Sequence, residues 1–301
     1  MFNTDVAIPH LFPRSWRAML NLSGIWAIKR YPGKQGYSPE HLSCKLPPMS
    51  VDSQNIATLA PHPALPRYYE SASQKRQFVR GIFDQTAPDY ERVERTIALG
   101  TGSRYRGQAL VRAGLQSGMR VLDVAVGTGL VAREAAHIVG SPSLVVGVDP
   151  SSGMLAEAVA KLSIRVVQGV GEQLPLAADQ FDFLSMGYAL RHVGDLRAAF
   201  QEFHRVLKPG GRVCVLEITR PRRRWANWML RWYMKSAAPL AARVLARSVQ
   251  SPKLWQYYWD TTENCVSPQD VISAMTDAGF IDAHRRIEMG IFSEYTARKP
   301  D

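Results

Sequence analysis

The chain has 301 residues, of which 46% are hydrophobic, and it carries a formal net charge of +11 at neutral pH. This length and apolar content suffice for one large folded domain with additions, and they exclude a wholly disordered chain. No uninterrupted apolar run reaches about 18 residues, so the sequence predicts no transmembrane helix. Cys44, Cys214 and Cys265 form no disulfide or metal-binding pattern. They fit a reducing compartment, and we predict a cytoplasmic protein without a metal site.

Residues 1–72 differ in composition from the rest of the chain. Prolines recur through this stretch with serines between them, which predicts a disordered or dispensable extension. From Val6 to Pro39 there is no acidic residue, while arginines and lysines stand beside tryptophans. Such a pattern fits either an organelle transit peptide or a short helix on a membrane surface. The alternative interpretation is that the protein starts at Met49.

Residues 73–117 have apolar side chains at helical spacing, among them Phe78, Ile82 and Leu110. The pattern predicts a helical cap over the open end of a ligand site in the domain that follows. We therefore divide the folded part, 73–301, into four segments. These are the cap, a core over 118–220, a lid insertion over 221–262 and a C-terminal helix with strands over 263–301.

The core is organised around the stretch from Met119 to Ala136. The apolar residues Val121, Leu122 and Val124 predict a buried parallel strand. Small residues follow as far as Gly129 and predict a tight turn, after which a helix begins near Leu130. Glycines in such a turn let the backbone approach a ligand, and the first amides of the helix lack partners inside it.

Two carboxylates accompany this turn. Asp123 precedes it, and Asp149 ends a second apolar strand about 20 residues further on, where a residue that binds ribose hydroxyls is expected. Gly127, Gly129 and Ala132 also satisfy a loose dinucleotide fingerprint, so these residues alone leave a dinucleotide site open. Dinucleotide folds usually keep an apolar residue at the position of Asp123. The acid there favours a nucleoside ligand that carries positive charge.

Further helices and strands alternate along the rest of the chain. We predict helices over 153–162, 196–207 and 271–280 and strands over 164–168, 181–186, 212–218 and 290–297, for a sheet of about seven strands. Ligands of doubly wound sheets lie beyond the carboxyl ends of the strands, where the strand order reverses. Because Tyr188, Arg191 and His192 follow the strand over 181–186, we place them at the reacting centre.

The insertion over 221–262 combines basic and aromatic residues, and no acidic residue lies between Glu217 and Asp260. One interpretation is a lid over a lipophilic acceptor, in peripheral contact with a membrane through 221–260. A second is an amphipathic helix hairpin packed on the sheet. Nucleic-acid binding is disfavoured because the tryptophans are clustered and not spaced as a stacking platform.

Several longer motifs are distributed from Phe83 to Pro300. They are FDQTAPDYERV (83–93), VLDVAVGTG (121–129), VDPSSGML (148–155), YALRHV (188–193), LKPGGR (207–212), LEITRP (216–221) and GIFSEYTARKP (290–300). Together they resemble class I S-adenosylmethionine-dependent methyltransferases, and specifically the ubiquinone/menaquinone C-methyltransferase (UbiE-type) group. The resemblance implies a Rossmann-like α/β fold with a mostly parallel sheet, helices on both faces and a helical lid. It also implies S-adenosyl-L-methionine as the cofactor.

The resemblance also assigns residues to the cofactor. The full set is Asp123, Ala125, Gly127, Gly129, Asp149, Pro150, Met154, Gly171, Glu172 and Tyr90. Glu172 would border the adenine, while Phe83 and Tyr90 would pack over the cofactor, where an aromatic face attracts the sulfonium. Two positions depart from the family: Val126, where glycine is usual, and His192, where asparagine is usual.

The leading prediction is a methyltransferase that acts on a lipophilic aromatic ring such as a prenylated quinol, by C-methylation. Loss of a hydroxyl proton activates such a ring, so a base helps. His192 is the first candidate because its ordinary pKa lies near neutrality, although a structural role for it stays open. Arg191 would hold the phenolate oxygen, and Tyr188 completes the predicted catalytic set. Tyr258 and Asp260 are the next candidates.

Alternative functions share the same cofactor residues. One is an O- or N-methyltransferase of a small phenolic or lipid metabolite, and another is a non-catalytic subunit that binds S-adenosylmethionine within a biosynthetic complex. A dehydrogenase is the remaining enzyme alternative. The expected partners are the lipophilic acceptor and a second copy of the chain in a homodimer.

Overall fold

The computed structural model describes residues 58–97, 102–240 and 251–301. Residues 1–57 of the predicted extension, residues 98–101 and residues 241–250 of the lid lie outside the described residues. The strands are β1 (Val121–Val124), β2 (Val145–Asp149), β3 (Arg165–Gln168), β4 (Phe181–Gly187), β5 (Leu207–Ile218), β6 (Ile281–Glu288) and β7 (Phe292–Arg298). They form one seven-stranded sheet in the order β3-β2-β1-β4-β5-β7-β6. Strands β1 to β5 are parallel, and β7 lies antiparallel between β5 and β6.

Helices connect these strands along the chain. They are α1 (Ala72–Ile97), α2 (Gly102–Arg112), α3 (Leu130–Val139), α4 (Ser152–Lys161), α5 (Leu196–Val206), α6 (Arg224–Trp232), α7 (Ser251–Glu263) and α8 (Pro268–Asp277). The chain reverses its strand order between β1 and β4, so the carboxyl ends of β1, β2 and β4 border one crevice. The predicted Rossmann-like fold is confirmed.

Side chains of the central strands alternate between two apolar layers. Leu122 and Val124 of β1 join a cluster with α5 and α8, whereas Val121 and Phe183 join a second cluster with α2 and α3. Strands covered on both faces must be apolar throughout, which explains the continuous hydrophobic runs in the sequence.

The sheet differs from the prediction at two places. Strand β6 is not predicted, because it is an edge strand whose side chains alternate only between exposed and half-buried and include His284, Arg285 and Arg286. Charged residues on an edge strand hide it from an apolar pattern, and they also discourage pairing with other chains. Strand β5 begins at Leu207 and not at residue 212, because Leu207 pairs with Phe181 across an irregularity in β4.

Residues 58–71 also differ from the prediction, which assigns them to the extension. The Leu59 amide donates to Asp195 Oδ1 over 3.0 Å, and the Leu59 carbonyl accepts from the Leu196 amide over 2.9 Å. The Pro61 carbonyl accepts from the Val266 amide over 2.7 Å, and the Tyr69 side chain is buried. The domain boundary drawn at residue 72 therefore cuts a segment that packs on the core.

Candidate active site

The turn after β1 brings the backbone to the carboxyl edge of the sheet. Ala125, Gly127 and Gly129 adopt left-handed φ values of 55°, 55° and 88°. A Cβ built at Gly129 would lie 2.4 Å from Leu162 Cδ1, and the left-handed φ at this position itself favours glycine. A Cβ built at Gly127 meets no atom of the described chain within 4 Å. Gly127 therefore borders open space, as a ligand-facing position should.

Asp149, at the end of β2, holds this turn in place. Its Oδ2 accepts from the Gly127 amide over 2.9 Å, and its Oδ1 accepts from the Ser151 amide over 2.8 Å. Burial raises the pKa of Asp149 to about 6 in spite of these two hydrogen bonds. The carboxylate stays mostly ionised at neutral pH, in the position that doubly wound folds use for ribose hydroxyls.

Asp123 is a buried carboxylate in β1. Its Oδ1 accepts from Ser185 Oγ over 2.7 Å, while its Oδ2 has no hydrogen-bond partner among the residues that the structure describes. Burial raises the pKa of Asp123 to about 7. A cationic group beside Oδ2 would favour the ionised carboxylate and satisfy the unpaired oxygen.

Val126, one of the two departures from the resembled family, packs into the sheet. Its side chain is buried, and its two Cγ atoms lie 2.9 Å from the place that a Cβ of Gly147 would occupy. Gly147 of β2 thus provides the room that the branched side chain needs. The substitution is accommodated inside the apolar layer that contains α2 and α3.

Other predicted cofactor residues lie in the loops after β2 and β3. The Pro150 carbonyl accepts from Gln168 Nε2 over 3.0 Å, and Met154 is almost completely buried at the start of α4. Gly171 is buried, and the Glu172 carboxylate accepts from the Gly194 amide. Glu172 therefore ties the loop after β3 to the loop after β4.

Asp84 and Ser151 belong to this region, but the sequence analysis missed them. Asp84 Oδ1 accepts from Ser151 Oγ over 2.6 Å and from the Gly153 amide over 2.9 Å. Ser151 Oγ in turn accepts from the Met154 amide over 3.0 Å, so both side chains cap the N-terminus of α4. The available signals were Asp84 within FDQTAPDYERV and a serine two residues before the helix predicted over 153–162.

His192 lies in a group of aromatic rings, which we call the aromatic cluster: Tyr69, Phe83, Tyr90, Tyr257 and Tyr258. Its imidazole stacks on Tyr257 at a centroid distance of 5.4 Å and meets Phe83 edge-on at 5.3 Å. The hydroxyls of Tyr258 and Tyr90 are 3.4 Å apart. Helix α1 therefore contributes Phe83 and Tyr90, and helix α7 contributes the other face.

The electrostatic surroundings of His192 keep its imidazole neutral. Burial and the nearby cations Arg191 and Lys75 lower its pKa well below the ordinary value. Its Nδ1 lies 3.3 Å from Tyr257 Oη, and its Nε2 is buried with no hydrogen-bond partner in the described part of the chain. The Nε2 nitrogen is therefore an unsatisfied polar atom within the aromatic cluster.

Arg191 forms a buried ion pair with Glu217 at the end of β5. The Arg191 guanidinium carbon also lies 5.0 Å from the ring centroid of Tyr258, within cation–π range. Its Nε has no hydrogen-bond partner within the described residues. The sequence analysis missed Glu217, although the acid stands inside the LEITRP motif.

Two other catalytic candidates, Tyr188 and Asp260, have their contacts with residues other than His192. Tyr188 has a left-handed φ of 59°, and its ring meets Phe292 edge-on at 6.5 Å beside the second apolar layer. Asp260 accepts a hydrogen bond from Tyr68 Oη over 2.8 Å, which gives it a structural partner. Among the described residues, no group of three or more His, Cys, Asp or Glu side chains is placed to hold a metal ion.

Comparisons with known proteins agree with this geometry. The model of the ubiE/COQ5 methyltransferase family matches residues 70–299. The chain is 32% identical over 229 residues to the demethylmenaquinone methyltransferase of Lactiplantibacillus plantarum, covering 73% of this chain and 95% of that protein. It is 34% identical over 226 residues to the ubiquinone/menaquinone biosynthesis C-methyltransferase UbiE of Syntrophotalea carbinolica, covering 73% and 93%.

A solved structure shares the fold at lower sequence identity. It is an S-adenosylmethionine-dependent methyltransferase of Thermotoga maritima, described as a possible histamine N-methyltransferase. The TM-score is 0.52 at 22% identity, and the match covers 73% of this chain and 99% of that one.

Proposed function

Because the chain belongs to the ubiE/COQ5 methyltransferase family, we propose that it methylates a lipophilic, quinol-like aromatic ring at carbon. The protein is an S-adenosylmethionine-dependent methyltransferase. The cofactor supplies a methyl group that its sulfonium already activates. The chain must therefore contribute orientation, a site without water and removal of a proton from the acceptor.

The residues around the β1 turn suit this cofactor. Asp149 offers a mostly ionised carboxylate for the ribose hydroxyls, and Gly127 leaves the space that the nucleoside needs. Asp123 Oδ2, which is buried and unpaired among the described residues, suits the positive charge of the cofactor. These assignments rest on donor chemistry and on the open space beside the turn.

The observation that carries the proposed acceptor is the aromatic cluster beside His192 and Arg191 at the end of β4. Flat rings on two sides suit a flat, apolar acceptor, and the positive charges of Arg191 and Lys75 beside His192 disfavour a charged amine. Arg191 is paired with Glu217, so it acts as a hydrogen-bond donor to the acceptor oxygen and not as a base. The neutral His192 imidazole is the group that accepts the hydroxyl proton.

Titration calorimetry with S-adenosylhomocysteine, in wild type and Asp149→Ala, tests the cofactor half of this proposal. We expect micromolar binding that is lost in the variant, and NAD serves as the negative control. Product analysis after incubation with S-adenosylmethionine and a prenylated demethylquinol then tests the acceptor half. A new C-methyl group supports the proposal, whereas an O-methyl or N-methyl product, or no product from any quinol, overturns it.

We also propose that helix α6 rests on an anionic membrane surface from which the acceptor is taken. Trp225, Trp228 and Trp232 stand on one side of α6 with exposed fractions of 54%, 66% and 58%. Leu230 on the other side, and Tyr233 and Met234 in the π-helical turn that follows (Tyr233–Ala237), pack on the aromatic residues of α1 and α7. Tryptophans at this spacing are typical of a helix that lies in a membrane interface.

Charge around α6 is consistent with an anionic surface. Arg222, Arg223 and Arg224 are exposed at its start, and Arg231 is exposed near its end. No helix in the described ranges is long and apolar enough to cross a bilayer. Contact would therefore be peripheral, with tryptophans in the interface and arginines at the lipid headgroups.

Vesicle sedimentation tests this contact. We expect binding to vesicles that contain phosphatidylglycerol, reduced by salt and by the triple change Trp225→Ser, Trp228→Ser and Trp232→Ser. Val159→Ser is the matched control, because Val159 is an exposed apolar residue on α4. Equal sedimentation of the wild type and the triple variant would overturn the assignment of α6.

A further inference from the structure

The peptide unit between Val193 and Gly194 is held from both of its polar ends by charged side chains. Its carbonyl, on Val193, accepts a hydrogen bond from Lys75 Nζ over 2.8 Å. Its amide, on Gly194, donates to the Glu172 carboxylate. Lys75 comes from α1 and Glu172 from the loop after β3, so two distant segments meet on one peptide unit directly after His192. We call this arrangement the 193–194 clamp.

The clamp is built into the packing of the molecule. Lys75 is 7% exposed and Val193 is 8% exposed, so the hydrogen bond between them is shielded from water. A Cβ built at Gly194 would lie 3.0 Å from Glu172 Oε1, so the carboxylate needs the bare backbone of a glycine to approach this closely. A buried ammonium costs free energy unless its surroundings compensate it. The hydrogen bond and the charge of Lys75 are therefore its contribution, since an apolar side chain of the same length would pack at lower cost.

The residues after the clamp are fixed by a third segment. The Leu59 amide donates to Asp195 Oδ1 over 3.0 Å, and the Leu196 amide donates to the Leu59 carbonyl over 2.9 Å. The clamp and these two hydrogen bonds together hold the backbone over 193–196. The chain that follows His192 is therefore anchored to three separate parts of the protein before α5 begins.

We infer that Lys75 and Glu172 are positioning residues that clamp the 193–194 peptide unit and thereby hold the His192 imidazole between the rings of α1 and α7. The inference rests on the proposed function for the role of His192 as the base, but not for the clamp itself. The imidazole stacks on a ring of α7 and meets a ring of α1 edge-on, and these contacts last only while its own backbone stays in place.

The charge of Lys75 makes a second contribution to the same imidazole. Burial lowers the pKa of Lys75 to about 8 although the charge of Glu172 opposes this shift, so the ammonium is mostly protonated at neutral pH. Burial, Arg191 and Lys75 in turn lower the pKa of His192. Lys75 therefore helps to keep His192 in the neutral form that a base requires.

Hydrogen–deuterium exchange tests the clamp without any substrate. The amides of Gly194 and Leu196 are protected while their hydrogen bonds persist. Lys75→Met replaces the ammonium by an apolar side chain of similar length, and it should speed exchange of these amides by about tenfold or more. Arg76→Met, at the exposed neighbouring position on α1, is the matched control and should leave the exchange unchanged.

Gly194→Ala provides a second variant that does not alter α1. Its added Cβ disturbs the same peptide unit from the side of Glu172, so it should also speed exchange of the Leu196 amide. Wild-type exchange in both Lys75→Met and Gly194→Ala would overturn the clamp.

Kinetics separate a positioning role from a merely structural one. Lys75→Met should lower kcat by about tenfold or more, with little change in the acceptor KM or in the Kd for S-adenosylhomocysteine, because proton removal needs the imidazole in place. Lys75→Arg keeps the donors and the charge, and it should recover most of kcat.

The outcomes distinguish the clamp from the proposed function. Faster exchange with wild-type kcat in Lys75→Met, or a loss of kcat that Lys75→Arg does not reduce, would overturn the positioning role. Faster exchange in Lys75→Met, when the wild type methylates no quinol, would support the clamp and count against the proposed acceptor alone.

Discussion

The two halves of the proposed site, the cofactor side around the β1 turn and the acceptor side around His192, are built in different ways. The cofactor side is made of backbone amides and carboxylates from a short stretch of chain, in which Asp149 spans from Gly127 to Ser151. The acceptor side is made of rings and one ion pair drawn from distant stretches, as His192, Phe83 and Tyr257 show. A local motif therefore specifies the first, whereas only tertiary packing assembles the second.

The strongest way to break the acceptor side alone is to remove the partner of Arg191. Glu217→Gln should lower the free energy of unfolding by about 3–5 kcal/mol, because it leaves a buried guanidinium without its counter-charge. Urea denaturation measures this loss. Calorimetry on the folded variant should show nearly unchanged affinity for S-adenosylhomocysteine, since Glu217 lies outside the β1 turn.

A matched control for this change is Glu288→Gln, which removes one partner of an exposed pair with Arg286. Exposed pairs contribute at most about 1 kcal/mol, so this variant should keep wild-type stability. Equal stability of the two variants, or a large loss of cofactor affinity in Glu217→Gln, would show that the two sides are not separate.

Asp123→Asn should separate stability from binding on the cofactor side. Burial raises the pKa of Asp123 from its ordinary value of 3.8 to about 7 in the folded protein. Between these two values only the folded state holds the proton, so the contribution of Asp123 to the free energy of unfolding falls as the pH rises and is lowest above pH 7. The asparagine variant should therefore gain about 1–3 kcal/mol of unfolding free energy without ligand at pH 8. This gain should shrink as the pH falls to 5.

The same variant should bind S-adenosylmethionine more weakly than the wild type, because the cation loses its carboxylate. Denaturation at both pH values and calorimetry at pH 8 check the two effects, with the exposed Asp277→Asn as the control. A variant that is both less stable and weaker in binding would contradict the interpretation of Asp123 as a buried carboxylate whose ionisation destabilises the protein without ligand.

The sequence predicts the cofactor side because its signals are local. Strand β1, its glycine turn and Asp149 fall within one βαβ unit, where spacing alone determines which groups meet. Val126 shows the limit of this reasoning. Its accommodation depends on Gly147 in the neighbouring strand, and only the register of β1 and β2 brings the two together.

Only some residues of the proposed acceptor side can be predicted from the sequence. Arg191 and His192 follow β4 and are found by the strand-end rule, but Glu217 and Tyr257 meet them only in the folded protein, where Tyr69 packs edge-on against Tyr257. The prolines before residue 72 hide the contribution of Tyr69, since proline recurrence resembles an unstructured extension. Proline-rich segments can be ordered when their carbonyls and aromatic rings find partners on a neighbouring core.

Asp84→Asn has the smallest expected effect of these changes. It is informative because Asp84 contacts the cofactor side and is the chain neighbour of Phe83 on the acceptor side. It stands next to Phe83 of the aromatic cluster and caps α4 through Ser151 and Gly153. Asp84→Asn should cost about 1 kcal/mol of stability, as the loss of a helix cap does, and lower the affinity for S-adenosylhomocysteine only a few-fold. Asp89→Asn on the same helix is the control, since Asp89 forms an ion pair with the exposed Arg92 on the surface of α1.

The KM for the acceptor in Asp84→Asn shows whether the contact between α1 and α4 also positions the aromatic cluster. If the aromatic cluster keeps its place by its own ring packing, the acceptor KM of Asp84→Asn stays at the wild-type value while the cofactor affinity falls. If α1 is instead positioned by its contact with α4, the two constants rise together. We expect the first result, because Phe83 also packs on His192 and Tyr258, and these contacts do not depend on α4.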